Sequence, residues 1–153
     1  MNPVIRLAFV AAAVSLAGGA FAQSAVEGAI KARKAHMQLY AFNLGQLGAM
    51  AKGEAPYDAA QASAAAGNLV SLAGLSLGAY FPPGSAQGEA ADTRALPALW
   101  QSGDDVIAKA AALSEALAAL NTAAGTDLAA LQGAMGPVGE ACGACHKAYR
   151  APD

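Results

Sequence analysis

Apolar residues return along this chain in steps of three and four, the spacing of helices that bury one face. From about Ala25 to Ala51 the stripe Val26, Ile30, Arg33, Met37, Tyr40, Leu44, Leu47 and Ala51 predicts a first helix with a bundle seam. Gly53 and Pro56 break it, and Tyr57-Asp58 opens a second helix reaching about Ala79. Leu69, Leu72 and Leu75 give that segment an apolar face, although Gly67, Gly74 and Gly78 each weaken it by roughly 1 kcal/mol relative to alanine. Tyr80 to Ala95, opening with Phe-Pro-Pro-Gly-Ser, cannot continue a helix and predicts a long loop. A third helix, about Leu96 to Thr122, carries Leu96, Leu99, Gly103, Val106, Ala110, Leu113, Leu117 and Leu120 on one stripe, with Trp100 beside it. Gly125 ends it, and Thr126 is the expected N-cap of a fourth helix from about Asp127 to Tyr149. Its stripe is Leu128, Leu131, Met135, Val138, Cys142, Cys145 and Tyr149, and Gly136-Pro137 predicts a kink or a broken turn. Two short links and one longer loop between four such helices predict an all-α fold, an antiparallel up-and-down four-helix bundle.

The first residues stand outside this pattern. Residues 1–22 have a short basic n-region with Arg6, an apolar run from Leu7 to Leu16, and Ala20-Phe21-Ala22 before Gln23, the layout of a cleaved signal peptide. The apolar run is too short to predict a membrane span. Residues 23–153 then form one exported domain, expected in the periplasm.

The chain has 153 residues, enough for one core but not for two. A formal net charge of −2 argues against nucleic acid as a partner. Aromatic residues are few and alanine and leucine many, which favours helices over strands. No acid–base pair or substrate cleft is visible, so an enzyme is the weakest functional class.

The two cysteines of the chain both fall in Cys142-Gly143-Ala144-Cys145-His146. Cys-x-x-Cys-His is the attachment signature of a c-type haem: each thiol can add across a vinyl group, and the next residue offers an imidazole to iron. On a helix, 142, 145 and 146 share one side, so thiols and imidazole converge. A zinc site would need two further good ligands, and His146 with a distant His36 provides poorly for one. A redox dithiol wants a strand–helix context that an all-helical pattern lacks. A plain disulfide would leave His146 unexplained. The expectation is one covalently bound haem c near the C-terminal end of the bundle, held by Cys142 and Cys145, with His146 as proximal iron ligand.

The first helix is expected to supply the opposite face of the haem. Met37 is a candidate distal iron ligand, and its alternative role is core filling. Arg33, on an apolar stripe, needs an anionic or carbonyl partner, and a haem propionate would be one; its alternative is to snorkel to the surface. His36 lies one position off the stripe and is expected to be solvated or half-buried. Arg150, with Lys147, follows the pentad on the last turn, where it suits the helix C-terminus and can reach a propionate.

The mature chain resembles the class II c-type cytochromes, the cytochrome c-prime family. The likeness rests on Ala32-Arg33-Lys34-Ala35-His36-Met37, Lys52-Gly53-Glu54-Ala55-Pro56-Tyr57-Asp58, Phe81-Pro82-Pro83-Gly84-Ser85, Leu99-Trp100 and Ala141 to Arg150 around the pentad. The resemblance implies a four-helix bundle, usually homodimeric, in the periplasm of a Gram-negative bacterium. It also implies two alternatives at Met37. Low-spin members use a methionine there as sixth ligand and carry electrons between periplasmic redox partners; high-spin members leave iron five-coordinate, open to nitric oxide or carbon monoxide. Arg33 and Arg150 match the high-spin members, whereas Met37 and Gly136-Pro137-Val138-Gly139 match the low-spin ones.

Overall fold

The computed structural model describes the backbone of residues 3–152 and the side chains of residues 23–152. The expected signal segment 1–22 and its cleavage point lie outside the residues whose side chains are described. Among the described residues five α-helices follow one another: α1 (Pro3–Ala51), α2 (Ala59–Ala73), the short α3 (Ala98–Gln101), α4 (Gly103–Ala124) and α5 (Leu128–Tyr149). Between α2 and α3 a single 3-10 turn, Gly78–Tyr80, sits in the long loop.

Helix ends follow local chemistry. Asp58 and Asp127 each accept a hydrogen bond at 2.8 Å from the backbone N–H three residues on, Gln61 and Ala130 respectively. Asp127 thus takes the capping place expected of Thr126. Helix α2 stops at Ala73 rather than near Ala79, because Gly74 caps it and the glycine- and serine-containing segment beyond offers no helical continuation. The third predicted helix is two: α3 ends at Ser102, whose backbone is not helical, and α4 starts afresh at Gly103. Asp104 and Asp105 then occupy the first turn of α4, where negative charge meets the positive end of the helix dipole. In α5 no turn is broken: the helix is continuous with Pro137 inside it. Pro137 and Gly133, whose carbonyl loses its helical donor, both lie on the exposed side, where water can serve the orphaned oxygen.

The long helices form a ring in which α1 packs on α2, α2 on α4, α4 on α5 and α5 on α1. The core is built from Leu47 and Met50 of α1, Ala62, Ala65, Ala66 and Leu69 of α2, Leu117, Leu120 and Ala124 of α4, and Leu131 and Val138 of α5. Each buried leucine contributes about 1.5–3 kcal/mol relative to exposure. The alanines of α2 let it approach its neighbours closely. So does Gly125 in the link beyond α4, where a Cβ would lie 2.1 Å from Ser63 Oγ. Helix α4 is long and apolar enough to cross a membrane by composition, but here it packs between α2 and α5. Gln132 Nε2 donates to Ala51 O at 2.7 Å and Tyr57 Oη to Ala124 O at 2.9 Å, tying the helix links together at the end remote from the pentad.

Candidate haem site

Helix α5 carries Cys142, Cys145 and His146 on its last two turns, all half-buried. Both thiols are free. Burial pushes both thiols up; Cys145 adds to the effect at Cys142, while at Cys145 the nearby Lys109 opposes it and Asp105 adds to it. Burial, then the cations Arg150 and Arg94, push His146 down, which keeps its imidazole neutral and able to donate a lone pair to a metal.

Helix α1 faces these residues. Tyr40 and Leu44 pack against the same core as Cys142, and burial together with Cys142 pushes the Tyr40 phenol up to about 12. Met37 precedes Tyr40 by three residues and so shares its face. The inward stripe of α1 nevertheless differs from the predicted one. Met37 is 41% exposed, whereas His36, expected to be solvated or half-buried, is only 5% exposed. The reason is that α1 packs on both α2 and the 3-10 turn, and their cover reaches His36. Its Nε2 lies 3.1 Å from Leu72 O, its ring stacks on Tyr40 with centroids 5.0 Å apart, and Tyr80 meets it edge-on at 5.8 Å. His36 Nδ1 is buried without a hydrogen-bond partner.

Arg33 is buried, as its place on the stripe requires, and 5% exposed. It reaches the long loop rather than solvent. Its Nη1 donates to Ser85 Oγ at 2.8 Å and Tyr80 O at 3.3 Å, and its Nη2 to Ser85 O at 2.6 Å and to Thr93 Oγ1. The guanidinium also lies over the Phe81 ring, 5.1 Å from its centre. Phe81 in turn meets Trp100 edge-on, and Trp100 Nε1 donates to Phe81 O at 3.0 Å. All the hydrogen-bond acceptors of Arg33 are neutral, and desolvation alone pulls its pKa down. Arg150 is exposed and caps the end of α5.

The loop closes on the same end of the bundle. Leu96 N donates to Tyr149 O and Ala151 N to Arg94 O, each at 2.9 Å. Arg94 grips Ala151 O with Nε at 3.0 Å and Nη2 at 2.6 Å. Sequence reasoning missed Ser85, Thr93 and Arg94. Arginine in a polar loop carries no periodic signal, and hydroxyl partners of Arg33 some 50 to 60 positions downstream have no spacing rule.

These residues fit a haem c. Two thiols one helical turn apart can take the vinyl groups, the neutral imidazole can take iron, and a half-exposed thioether shares a face of α1 with Tyr40. Among the described residues no cluster of three or more His, Cys, Asp and Glu side chains forms a site for a bare ion. The helical bundle and this pentad together define a c-type haem protein.

The family model described as Cytochrome C' matches residues 28–150. Cytochrome c-554 of Cereibacter sphaeroides is 47% identical over 153 residues, spanning 100% of both chains. The solved cytochrome c' from "Rhodobacter Spheriodes" superposes with a TM-score of 0.81 at 41% identity, covering 84% of this chain and 98% of that one. A nitric oxide complex of a point variant of cytochrome c prime from Alcaligenes xylosoxidans matches with a TM-score of 0.72 at 37% identity, covering 84% and 97%. This chain belongs to the cytochrome c' family, and its cofactor is covalently attached haem c.

Proposed function

We propose that the protein is a periplasmic electron carrier in which Cys142 and Cys145 hold the haem, His146 is the proximal iron ligand and Met37 the distal one. When bound, the haem supplies an iron that cycles between ferric and ferrous states. The observation that carries this reading is the pose of Met37: a large apolar side chain, 41% exposed, on the α1 face that Tyr40 turns toward Cys142. A thioether there would favour ferrous iron and raise the reduction potential. His146, kept neutral by burial and two nearby arginines, is in the form that ligates. The propionates would supply the anion that the buried charge of Arg33 lacks, and Arg150 at the exposed end of α5 can reach one. The absorption spectrum of the purified holoprotein tests this. Low-spin ferrous bands and a far-red methionine-to-iron band in the ferric state support Met37 ligation, and a broad high-spin spectrum overturns it.

A second reading, a five-coordinate haem that binds nitric oxide or carbon monoxide with Met37 as steric cover, is favoured by the nitric oxide complex of the Alcaligenes relative. The same spectrum separates the two. Export through residues 1–22 and a homodimer complete the proposal. For the homodimer the support is an apolar surface on adjoining helices, where Leu39 and Phe42 of α1 line one groove with Leu72 of α2 and Leu75 just beyond it.

A further inference from the structure

Arg33 does more in this structure than await an anion. Its two terminal nitrogens make four hydrogen bonds to three loop residues, Tyr80, Ser85 and Thr93, and its plane covers Phe81. Thr93 Oγ1 is a junction, since it also accepts from Ala95 N at 3.2 Å. Ala95 O accepts from Gln87 N at 2.7 Å, closing the neck of the loop. The next contacts outward are those of Arg94 with Ala151 and of Leu96 with Tyr149, at the end of the haem-attachment helix. Continuous hydrogen bonding therefore runs from α1 through residues 93–96 to the residues just after His146.

We propose that Arg33 is a positioning residue: it clamps the loop to α1 through Ser85 and Thr93 and so holds the Arg94 cation against Ala151, just beyond the helix end that carries His146. A cation held near the iron favours the ferrous form, so the clamp raises the reduction potential without touching iron. Rigidity matters because the reach of a charge across a half-buried site depends on where it is held. A loop released at Thr93 loosens the backbone from which Arg94 reaches Ala151, and a cation that spends more of its time in water has its field screened. This inference rests on His146 being the iron ligand only for the potential. The loop contacts stand without it.

The test uses the haem-loaded full chain and two readouts, amide hydrogen exchange over residues 85–96 and the midpoint potential. Thr93→Val removes an acceptor while leaving Arg33 in place, and Arg33→Met removes the charge without leaving it unpaired. The clamp predicts that each variant speeds exchange in this segment about ten-fold or more and lowers the potential. The double variant should do little more than Arg33→Met alone, since both act on one network. The proposal is overturned if Thr93→Val changes neither readout while Arg33→Met lowers the potential, because Arg33 would then act directly on the haem. It is equally overturned if Arg33→Met leaves exchange unchanged. Arg94→Gln isolates the charge: if it leaves the potential unmoved, Arg94 does not act on the iron and the proposal is overturned, whereas a failure of His146 as iron ligand is read separately, in a parent haem spectrum without histidine ligation.

Discussion

Tyr149, near the end of α5, donates its phenolic hydrogen to Asp105 in the first turn of α4. Lys109, one turn further along α4, holds the other carboxylate oxygen at 3.2 Å. The Tyr149 hydrogen bond and then Lys109 keep Asp105 below the usual carboxylate range, and the same bond to Asp105 pushes the Tyr149 phenol up. A lowered carboxylate stabilises the fold above its unfolded value, near 4, and that contribution is lost as pH falls through the folded value. A raised phenol stabilises below its unfolded value, near 10, and is lost as pH rises through the folded one. The pair therefore supports the fold fully between those limits. Urea midpoints measured against pH should fall less steeply at both extremes in Tyr149→Phe than in the parent. Identical profiles would deny the pair any role.

Replacing Met37 by alanine should abolish the far-red ferric band and convert the ferrous spectrum from low-spin to high-spin, with the helical circular dichroism intact. A spectrum unchanged by Met37→Ala would remove Met37 from the iron. A parent protein that is already high-spin would favour the gas-binding reading.

Haem attachment can be read by mass. The parent, matured in cells that attach c-type haem, should gain one haem per chain that acid–acetone does not extract. Cys142→Ser or Cys145→Ser should retain a single thioether, and the double variant should give up its haem completely to the solvent.

Leu131 is fully buried in the core, in the first turn of α5. Leu131→Ala should cost about 2–5 kcal/mol, the lost transfer energy plus the cavity left behind. The check is a drop in the urea midpoint with an unchanged m-value. A loss below about 1 kcal/mol would mean that α5 collapses onto the hole.

Phe42 is 66% exposed on the apolar surface shared by α1 and α2. If that surface joins two copies, Phe42→Glu should halve the mass seen by sedimentation and leave the haem spectrum alone. A parent that sediments as a monomer at all concentrations would end the dimer proposal.

The helices were readable from the sequence wherever the apolar period and the breakers agreed. Gly53 and Pro56, Gly125, and Asp58 did their expected work, and the bundle follows from them. The seam of α1 holds at Ile30, Arg33 and Leu47 and departs from the expected stripe at one place, where His36 is buried and Met37 exposed. A stripe drawn from one helix treats its partner as a plane, whereas α1 meets α2, α5 and a 3-10 turn at different angles. At the pentad, the chemistry was readable because thiols and imidazole are contiguous. Arg33 was recognised as a buried charge in need of a partner, but Ser85 and Thr93 were not, since side-chain pairs across a long loop obey no period.

The separations of those pairs along the chain also order events in time. Arg33 lies 52 positions from Ser85 and 60 from Thr93, while Arg94 lies 57 from Ala151. Neighbouring helices such as α4 and α5 can zip together from a short link, but these contacts close only after most of the chain has been gathered, and their loop entropy is met last. The wall that Arg33 hangs beside His146 is thus expected to be the last part to fold, with a φ-value near zero for Thr93→Val. Thr93→Val should accordingly leave the folding rate unchanged and put its whole cost into faster unfolding.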